Sequence, residues 1–206
     1  MKAPTAIDIL ETLKNNHEGI RDFDAALELY STWDRVLLVG DIDPKVGEAV
    51  ETMIRFWNRV DAEEGTPIEK RKPIVIYVDS NGGDLDATFT IIDAIRISKT
   101  PVWTVNIGCA FSGGFFTYIA GHRRLAYPHS TFLYHEGSTG QIADAGKFQN
   151  FAAFYKVRLG MLKDIVLEYT KVSPELYEEK RRDDWWITAQ EALELGIVDE
   201  IIDEFV

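Results

Sequence analysis

From Asp34 onward, short apolar runs alternate with stretches whose apolar residues recur at helical spacing. Runs that are apolar throughout predict strands covered on both faces of a sheet. Stretches with apolar residues at i, i+4 and i+7 predict helices that pack on that sheet. The predicted strands are residues 35–39, 74–78, 102–107, 131–134 and 197–202, and the predicted helices between them begin at Pro44, near Leu85 and at Ser112. This alternation predicts an α/β fold of repeated βαβ units with a mainly parallel sheet.

The last third of this region carries the clearest helix signals. Residues 143–170 predict one long amphipathic helix with an aromatic-rich stripe. Ser173-Pro174-Glu175 is typical of a helix start, and Thr188-Ala-Gln-Glu191 predicts a capping box before a helix that ends at Gly196. Residues 61–73 predict a polar loop.

The first 33 residues have a weaker pattern. Thr5 could cap a short helix through Leu13, but its apolar stripe is narrow. We therefore interpret residues 1–33 as an N-terminal appendage and residues 34–206 as one domain, which suits a chain of 206 residues.

Charge and cysteine content exclude several functional classes. Acidic residues outnumber basic ones by 34 to 22, so a net charge of −12 makes nucleic acid an unfavourable partner. The single cysteine, Cys109, excludes an internal disulfide and a multi-cysteine metal site. No apolar run reaches the roughly 20 residues that span a bilayer, and the N-terminus lacks the apolar core of a signal peptide. We expect a cytoplasmic protein with no membrane partner.

Candidate chemistry concentrates in residues 106–116. Ser112 stands where a helix is predicted to begin, beside backbone N–H groups that could stabilise an oxyanion in acyl transfer. The simpler interpretation is that Ser112 only caps that helix. The surroundings are not the G-x-S-x-G motif of the α/β-hydrolases. The turn from Asp79 to Gly83 also follows a predicted strand, at the sheet edge where sites are commonly built.

A serine nucleophile needs a base, and His135 is the best placed of four histidines. It ends a predicted strand, before the flexible stretch 136–140, whereas His122 and His129 lie in turns and His17 lies in the appendage. Asp184, which two tryptophans follow, is the candidate acid, and Asp183 competes with it.

Two other nucleophile arrangements are open. Cys109 could be the nucleophile, although a lone cysteine in an apolar segment is usually a buried hydrophobe. Ser112 could instead pair with Lys147 or Lys163 as a serine–lysine dyad. Both lysines lie on the predicted long helix, where a solvated charge is the ordinary role.

Seven segments taken in order resemble the ClpP family, the proteolytic subunits of ATP-dependent Clp proteases. Each segment alone is weak evidence for the resemblance, but the order and spacing of all seven are specific to the family. The segments are Val39–Asp43, Tyr77–Gly83, Ile107–Gly114, Leu125–Ser130, Leu133–His135, Asp184–Ala192 and Glu194–Glu200. The resemblance implies the crotonase-like ClpP fold with a protruding helix–strand handle, formed here by the long helix and the residues before it.

The resemblance also implies a serine endopeptidase that cleaves unfolded polypeptides or short peptides without a cofactor or metal. Ser112 falls on the nucleophile, His135 on the general base and Asp184 on the orienting acid. Gly83 and Gly113 fall on the backbone N–H donors of the oxyanion hole.

The family's assembly is a homo-oligomer of two stacked heptameric rings, a tetradecamer, which an AAA+ unfoldase feeds. Three departures mark a divergent member: Glu136 replaces a glutamine after the base, Asn81 replaces a proline, and Asp183 replaces an arginine. A catalytically silent ring subunit is therefore an alternative. An acyl-CoA-binding enzyme of the crotonase superfamily and a membrane-associated serine–lysine peptidase are the others.

Overall fold

The computed structural model describes residues 34–206 and contains one mixed sheet flanked by helices. Within this part of the chain the sheet has seven strands in the order β1-β2-β3-β4-β7, and β5 pairs with β3 and β6. Every pairing is parallel except β5 with β6. The strands are β1 Val36–Val39, β2 Ile74–Ser80, β3 Val102–Phe111, β4 Arg123–Ala126, β5 Thr131–Tyr134, β6 Trp185–Thr188 and β7 Glu200–Ile201. The predicted α/β fold with a mainly parallel sheet is confirmed.

The helices begin at the residues that the sequence signals indicated. Asp43 caps α1 by accepting a hydrogen bond from the Val46 N–H, and Ser173 caps α5 in the same way. The predicted capping box of Thr188 and Glu191 is complete. The helices are α1 Pro44–Glu63, α2 Leu85–Ile97, α3 Gly113–Ile119, α4 Ala145–Tyr169, α5 Pro174–Lys180 and α6 Ala189–Glu194, with a 3₁₀ turn at Ile68–Lys70.

The main core lies between the sheet and the helices. β2 contributes Ile74, Ile76 and Val78, which are fully buried against the apolar faces of α1 and α2. A smaller cluster covers the other face of the sheet, where Val105 and Leu125 are buried and Tyr77 and Trp103 are partly exposed. The expectation of strands covered on both faces is thus met more fully on one face than on the other.

Four elements differ from the sequence prediction. β3 continues beyond Gly108 to Phe111, because the Cys109 N–H is held by the Asp79 side chain at 3.0 Å and residues 109–111 pair with β5. β4 and β6 were not predicted, since both are four residues long and polar at one end. The last strand is only two residues long, because residues 197 and 198 pack into the core after the Gly196 turn.

The long helix α4 protrudes from the domain. Only Leu162 and Val166 of its 25 residues are buried, so most of the predicted stripe lies outside the core. Residues 135–144, where the family resemblance implies the strand of a handle, have no regular secondary structure. The Thr5-capped helix and the appendage lie outside the described residues. Within 34–206, no helix combines the length and apolar character needed to cross a membrane.

Candidate active site

Ser112 connects β3 to α3 in a strained backbone conformation. Its φ of 53° and ψ of −119° lie where non-glycine residues are rare, and such strain often marks functional sites. Its N–H donates to the carbonyl oxygen of Leu133 at 2.9 Å, which fixes it beside β5. The hydroxyl makes no capping hydrogen bond. Ser112 therefore occupies the N-cap position of α3, but its side chain does not cap the helix.

The two predicted oxyanion donors lie next to each other. A Cβ built on Gly113 would be 3.4 Å from the Gly83 nitrogen and 2.5 Å from Thr88 Oγ1. Gly83 has a φ of 148°, and a Cβ there would meet the Ile42 oxygen at 2.0 Å. Neither glycine N–H donates a hydrogen bond to any other residue of 34–206. The two N–H groups therefore lie close together and have no partner within residues 34–206, as the donors of an oxyanion hole require.

His135 and Asp184 meet at the open end of the antiparallel β5–β6 pair. Tyr134 pairs with Trp185 in the last register position, so the next residues outward, His135 and Asp184, stand opposite each other. His135 Nδ1 lies 3.6 Å from Asp184 Oδ1, which is ion-pair contact but longer than a hydrogen bond. The two side chains are 33% and 63% exposed. The competing acid Asp183 is exposed, and its N–H donates to the Lys180 oxygen.

A cleft of about 290 Å³ brings the predicted residues together. Ser112, His135, Gly83 and Gly113 all line it, whereas Asp184 lies outside its lining. No hydrogen bond between the Ser112 hydroxyl and His135 is present in the described chain. The remaining walls combine apolar and polar side chains, namely Leu85, Phe116, Leu162, Tyr155, Thr88, Asn81, Glu136 and Ser138, together with Gly137. Asn81, Ser112 and His135 directly follow strands β2, β3 and β5, which is the usual location of sites in parallel sheets.

Two departures from the family pattern have polar partners in this structure. The Glu136 carboxylate accepts a hydrogen bond from Arg181 at 2.8 Å. Asn81 donates to the Asp41 carboxylate at 3.3 Å. Arg181, Tyr155 and Ser138 were not predicted as residues of the site. Arg181 is 45 residues from its partner Glu136, and no spacing rule connects the two.

The alternative nucleophile Cys109 is poorly suited to attack. Burial raises the pKa of its thiol, and the hydrogen bond and negative charge of Asp79 raise it further. Such a thiol stays protonated at neutral pH, whereas nucleophilic attack needs the thiolate.

The two lysines proposed for a dyad are both engaged elsewhere. Lys147 pairs with Asp144 at 3.1 Å. Lys163 pairs with Glu178 at 2.6 Å, and this hydrogen bond raises the pKa of Lys163, which is the opposite of what a general base requires. Neither lysine lines the cleft that contains Ser112, so nothing in the described residues supports a serine–lysine dyad.

In the part of the chain that the structure describes, the other histidines do not line the cleft, and the acidic residues form no metal-binding group. His122 Nδ1 accepts the Val102 N–H at 3.0 Å, His129 is exposed, and His17 lies outside the described residues. Within residues 34–206, no three His, Cys, Asp or Glu side chains are grouped so that they could hold a metal ion.

The fold and the cleft define an α/β protein whose candidate site lies at the carboxyl ends of parallel strands. Comparison with known proteins gives the family. The family described as Clp protease matches residues 34–205, so the chain belongs to the Clp protease family.

Two curated relatives are similar over most of their length, and both are called ATP-dependent Clp protease proteolytic subunit 2. The protein of Treponema denticola is 27% identical over 195 residues, which is 94% of each chain. That of Treponema pallidum is 28% identical over 172 residues, or 82% of each chain. This modest identity fits a divergent member.

Proposed function

We propose that the protein is a serine endopeptidase of the ClpP type, with Ser112 as the nucleophile, His135 as the general base and Asp184 as the orienting acid. The observation that carries the proposal is the state of Ser112. Its backbone is strained, its hydroxyl caps nothing, and it shares a cleft with His135 and two free N–H groups. Strain at a residue with no structural role for its side chain favours a chemical role.

The geometry supports a distinct chemical role for each of these residues. In the proposed mechanism, the proton sits on His135 Nδ1, which lies 3.6 Å from Asp184 Oδ1, and Nε2 accepts the proton of Ser112. The Ser112 oxygen attacks the peptide carbonyl, and the N–H groups of Gly83 and Gly113 stabilise the oxyanion. His135 then protonates the leaving amine, and an ester on Ser112 remains. Water, deprotonated by His135, hydrolyses this ester and restores Ser112.

The proposal extends to substrate and assembly. The apolar walls Leu85, Phe116 and Leu162 suit an apolar side chain of a peptide or an unfolded protein. The exposed helix α4 suits contact between two rings, in a cytoplasmic homo-oligomer of stacked heptamers. The names of the Treponema relatives include ATP dependence, which supports an AAA+ unfoldase as the partner.

Hydrolysis of fluorogenic peptides by the Ser112→Ala variant tests the proposal. We expect the rate to fall by at least about 10³-fold without loss of folding, as when one member of a triad is removed. Ser138→Ala is the matched control, because Ser138 lines the same cleft but has no role in the mechanism. Cys109→Ser should also keep its activity. Hydrolysis by Ser112→Ala at the wild-type rate would refute the assignment.

A second candidate function is a catalytically silent ring subunit. The 3.6 Å separation of His135 Nδ1 and Asp184 Oδ1 favours it, since a working triad needs a hydrogen bond there. A silent subunit would hydrolyse no peptide as the assembled wild-type protein, and Ser112→Ala would then change nothing.

A further inference from the structure

A chain of four alternating charges connects α4 and α5 to the end of β5. Lys163 on α4 contacts Glu178 on α5 at 2.6 Å, and Glu178 contacts Arg181 at 2.6 Å. Arg181 then reaches Glu136, the residue after His135, at 2.8 Å. The side chains of Arg181 and Glu136 are 26% and 25% exposed, so water screens this pair only in part.

The Arg181–Glu136 pair lies where the β5–β6 ladder has ended. The last ladder pair is Tyr134 with Trp185. Beyond it, His135 and Asp184 face each other with no hydrogen bond between their side chains. The next contact outward between the two segments is the ion pair, which joins the residue after the base to the residue three before the acid.

Arg181 and Glu136 are also held by hydrogen bonds from their backbones to neighbouring residues. Arg181 follows α5, and its N–H donates to the Tyr177 oxygen at 2.8 Å. Tyr177 in turn shares a hydrogen bond of 2.7 Å with Tyr134, inside β5. The Glu136 carbonyl accepts a hydrogen bond from Tyr155 of α4 at 3.3 Å. The pair thus adds a direct contact between two segments that are otherwise joined through Tyr134, which hydrogen-bonds Tyr177 and pairs with Trp185.

We infer that Arg181 is a positioning residue, which acts through Glu136 to hold His135 opposite Asp184. The inference rests on the proposed function, since positioning matters only if His135 is the base. The base and the acid lie on separate segments, and small misplacements of catalytic groups reduce rates strongly. Without the pair, only the 3.6 Å contact between His135 and Asp184 holds the stretch after Tyr134 to the segment that carries Asp184, and the imidazole samples more orientations.

The test is the rate at which a serine-directed phosphonate labels Ser112 in the assembled wild-type protein and in variants. Arg181→Gln should label about tenfold more slowly, with kcat for a peptide reduced and KM nearly unchanged, because Arg181 does not line the cleft. Arg181→Lys keeps the charge and should recover most of the rate. Arg182→Gln is the matched control, since it removes an exposed neighbouring arginine.

A double-mutant cycle separates positioning from a general effect on folding. If the pair acts as a unit, Glu136→Gln with Arg181→Gln should be no slower than Arg181→Gln alone. High salt should slow the wild type and leave Arg181→Gln unchanged. Labelling of Arg181→Gln at the wild-type rate, or equal slowing in Arg182→Gln, would overturn the inference and leave the proposed function standing. Absence of Ser112 labelling in the wild type would overturn both.

Discussion

The candidate nucleophile is shaped by the residues around it more than by its own side chain. Ser112 keeps a φ of 53° because its N–H is bound to β5 and because Gly82 leaves room for it. A Cβ on Gly82 would lie 2.7 Å from Ser112 Cβ and 2.8 Å from the Gly113 nitrogen. Gly82 itself has a φ of 97°, a conformation that glycine adopts at little cost.

Gly82→Ala should therefore damage the site directly. We expect the free energy of unfolding to fall by roughly 1–3 kcal/mol, because the new methyl group has no space. Peptide hydrolysis should fall by about 100-fold, because Ser112 and the Gly113 N–H must both move. Urea unfolding and a peptidase assay measure the two effects.

Gly140→Ala is the control for this substitution. Gly140 is exposed, a Cβ there meets nothing within 4 Å, and its φ is not positive. Both stability and activity should match the wild type. If Gly82→Ala has the same stability and activity as Gly140→Ala, the close packing around Ser112 does not matter for function.

The sequence indicates which residues could form the site, but it does not predict their backbone conformations. Ser112 and Gly113 could be identified as a candidate site from the sequence, because small residues interrupt an apolar run there. The strained φ of Ser112 was not readable, since it depends on contacts with Gly82 and Leu133 that are distant in sequence. The pairing of Glu136 with Arg181 could not be predicted for the same reason, since the two residues are distant in sequence.

Among the elements, the antiparallel pair β5–β6 matters most for the site. It is the only antiparallel pairing in the described part of the sheet, and its register places Asp184 across from His135. β6 escaped prediction because it has four residues, follows a charged run and shares Thr188 with the cap of α6. The helices were predicted well, since their caps and apolar spacing are local properties of the sequence.

A buried ion pair fixes the end of α1 against the start of β1. Arg35 binds both carboxylate oxygens of Asp61, at 2.6 and 2.8 Å, and Thr100 donates to the same carboxylate at 2.6 Å. Burial pushes the pKa of Asp61 upward, but the hydrogen bonds from Arg35 and Thr100 outweigh it, so the pKa is lowered overall. The polar loop predicted for residues 61–73 thus begins with a buried anchor.

Asp61→Asn should lower the free energy of unfolding by about 3 kcal/mol at pH 7, since it leaves Arg35 with an uncompensated charge. A lowered pKa in the folded state means that the stabilisation is complete above the ordinary aspartate pKa of about 3.9. It disappears as the pH falls further, through the folded-state pKa. Urea unfolding of both proteins between pH 7 and pH 3 checks this.

The substitution Asp203→Asn is the control, because Asp203 is an exposed aspartate. Its stability should follow the wild type at every pH. A difference between wild type and Asp61→Asn that stays constant down to pH 3 would contradict the assigned direction of the Asp61 shift.

For the whole molecule, the protruding helix α4 shows that one chain leaves apolar surface unburied. Phe154, Val157 and Met161 are each about half exposed, and helical spacing places them on one face. The sequence predicted the helix and its other stripe, but it could not show how little of α4 the domain itself would bury. That depends on the direction in which the helix leaves the sheet.

The variant Phe154→Ser, Met161→Ser should separate stacked rings if this face joins them. Light scattering should then give about half the mass of the wild-type assembly, whose own mass should be many times that of one chain. Lys156→Ser, on another face of α4, is the control and should leave the mass unchanged. A wild-type protein that scatters as a monomer at micromolar concentration would refute the ring assembly.

The proposed role of Ser112, as a nucleophile activated by His135, can be tested directly by covalent labelling. The assembled wild-type protein is treated with a serine-directed phosphonate, and the modified residue is located by mass spectrometry. We expect a single adduct on Ser112, which forms at least about 10³-fold more slowly in His135→Ala. No adduct, an adduct on Ser138, or equal labelling of His135→Ala would contradict it.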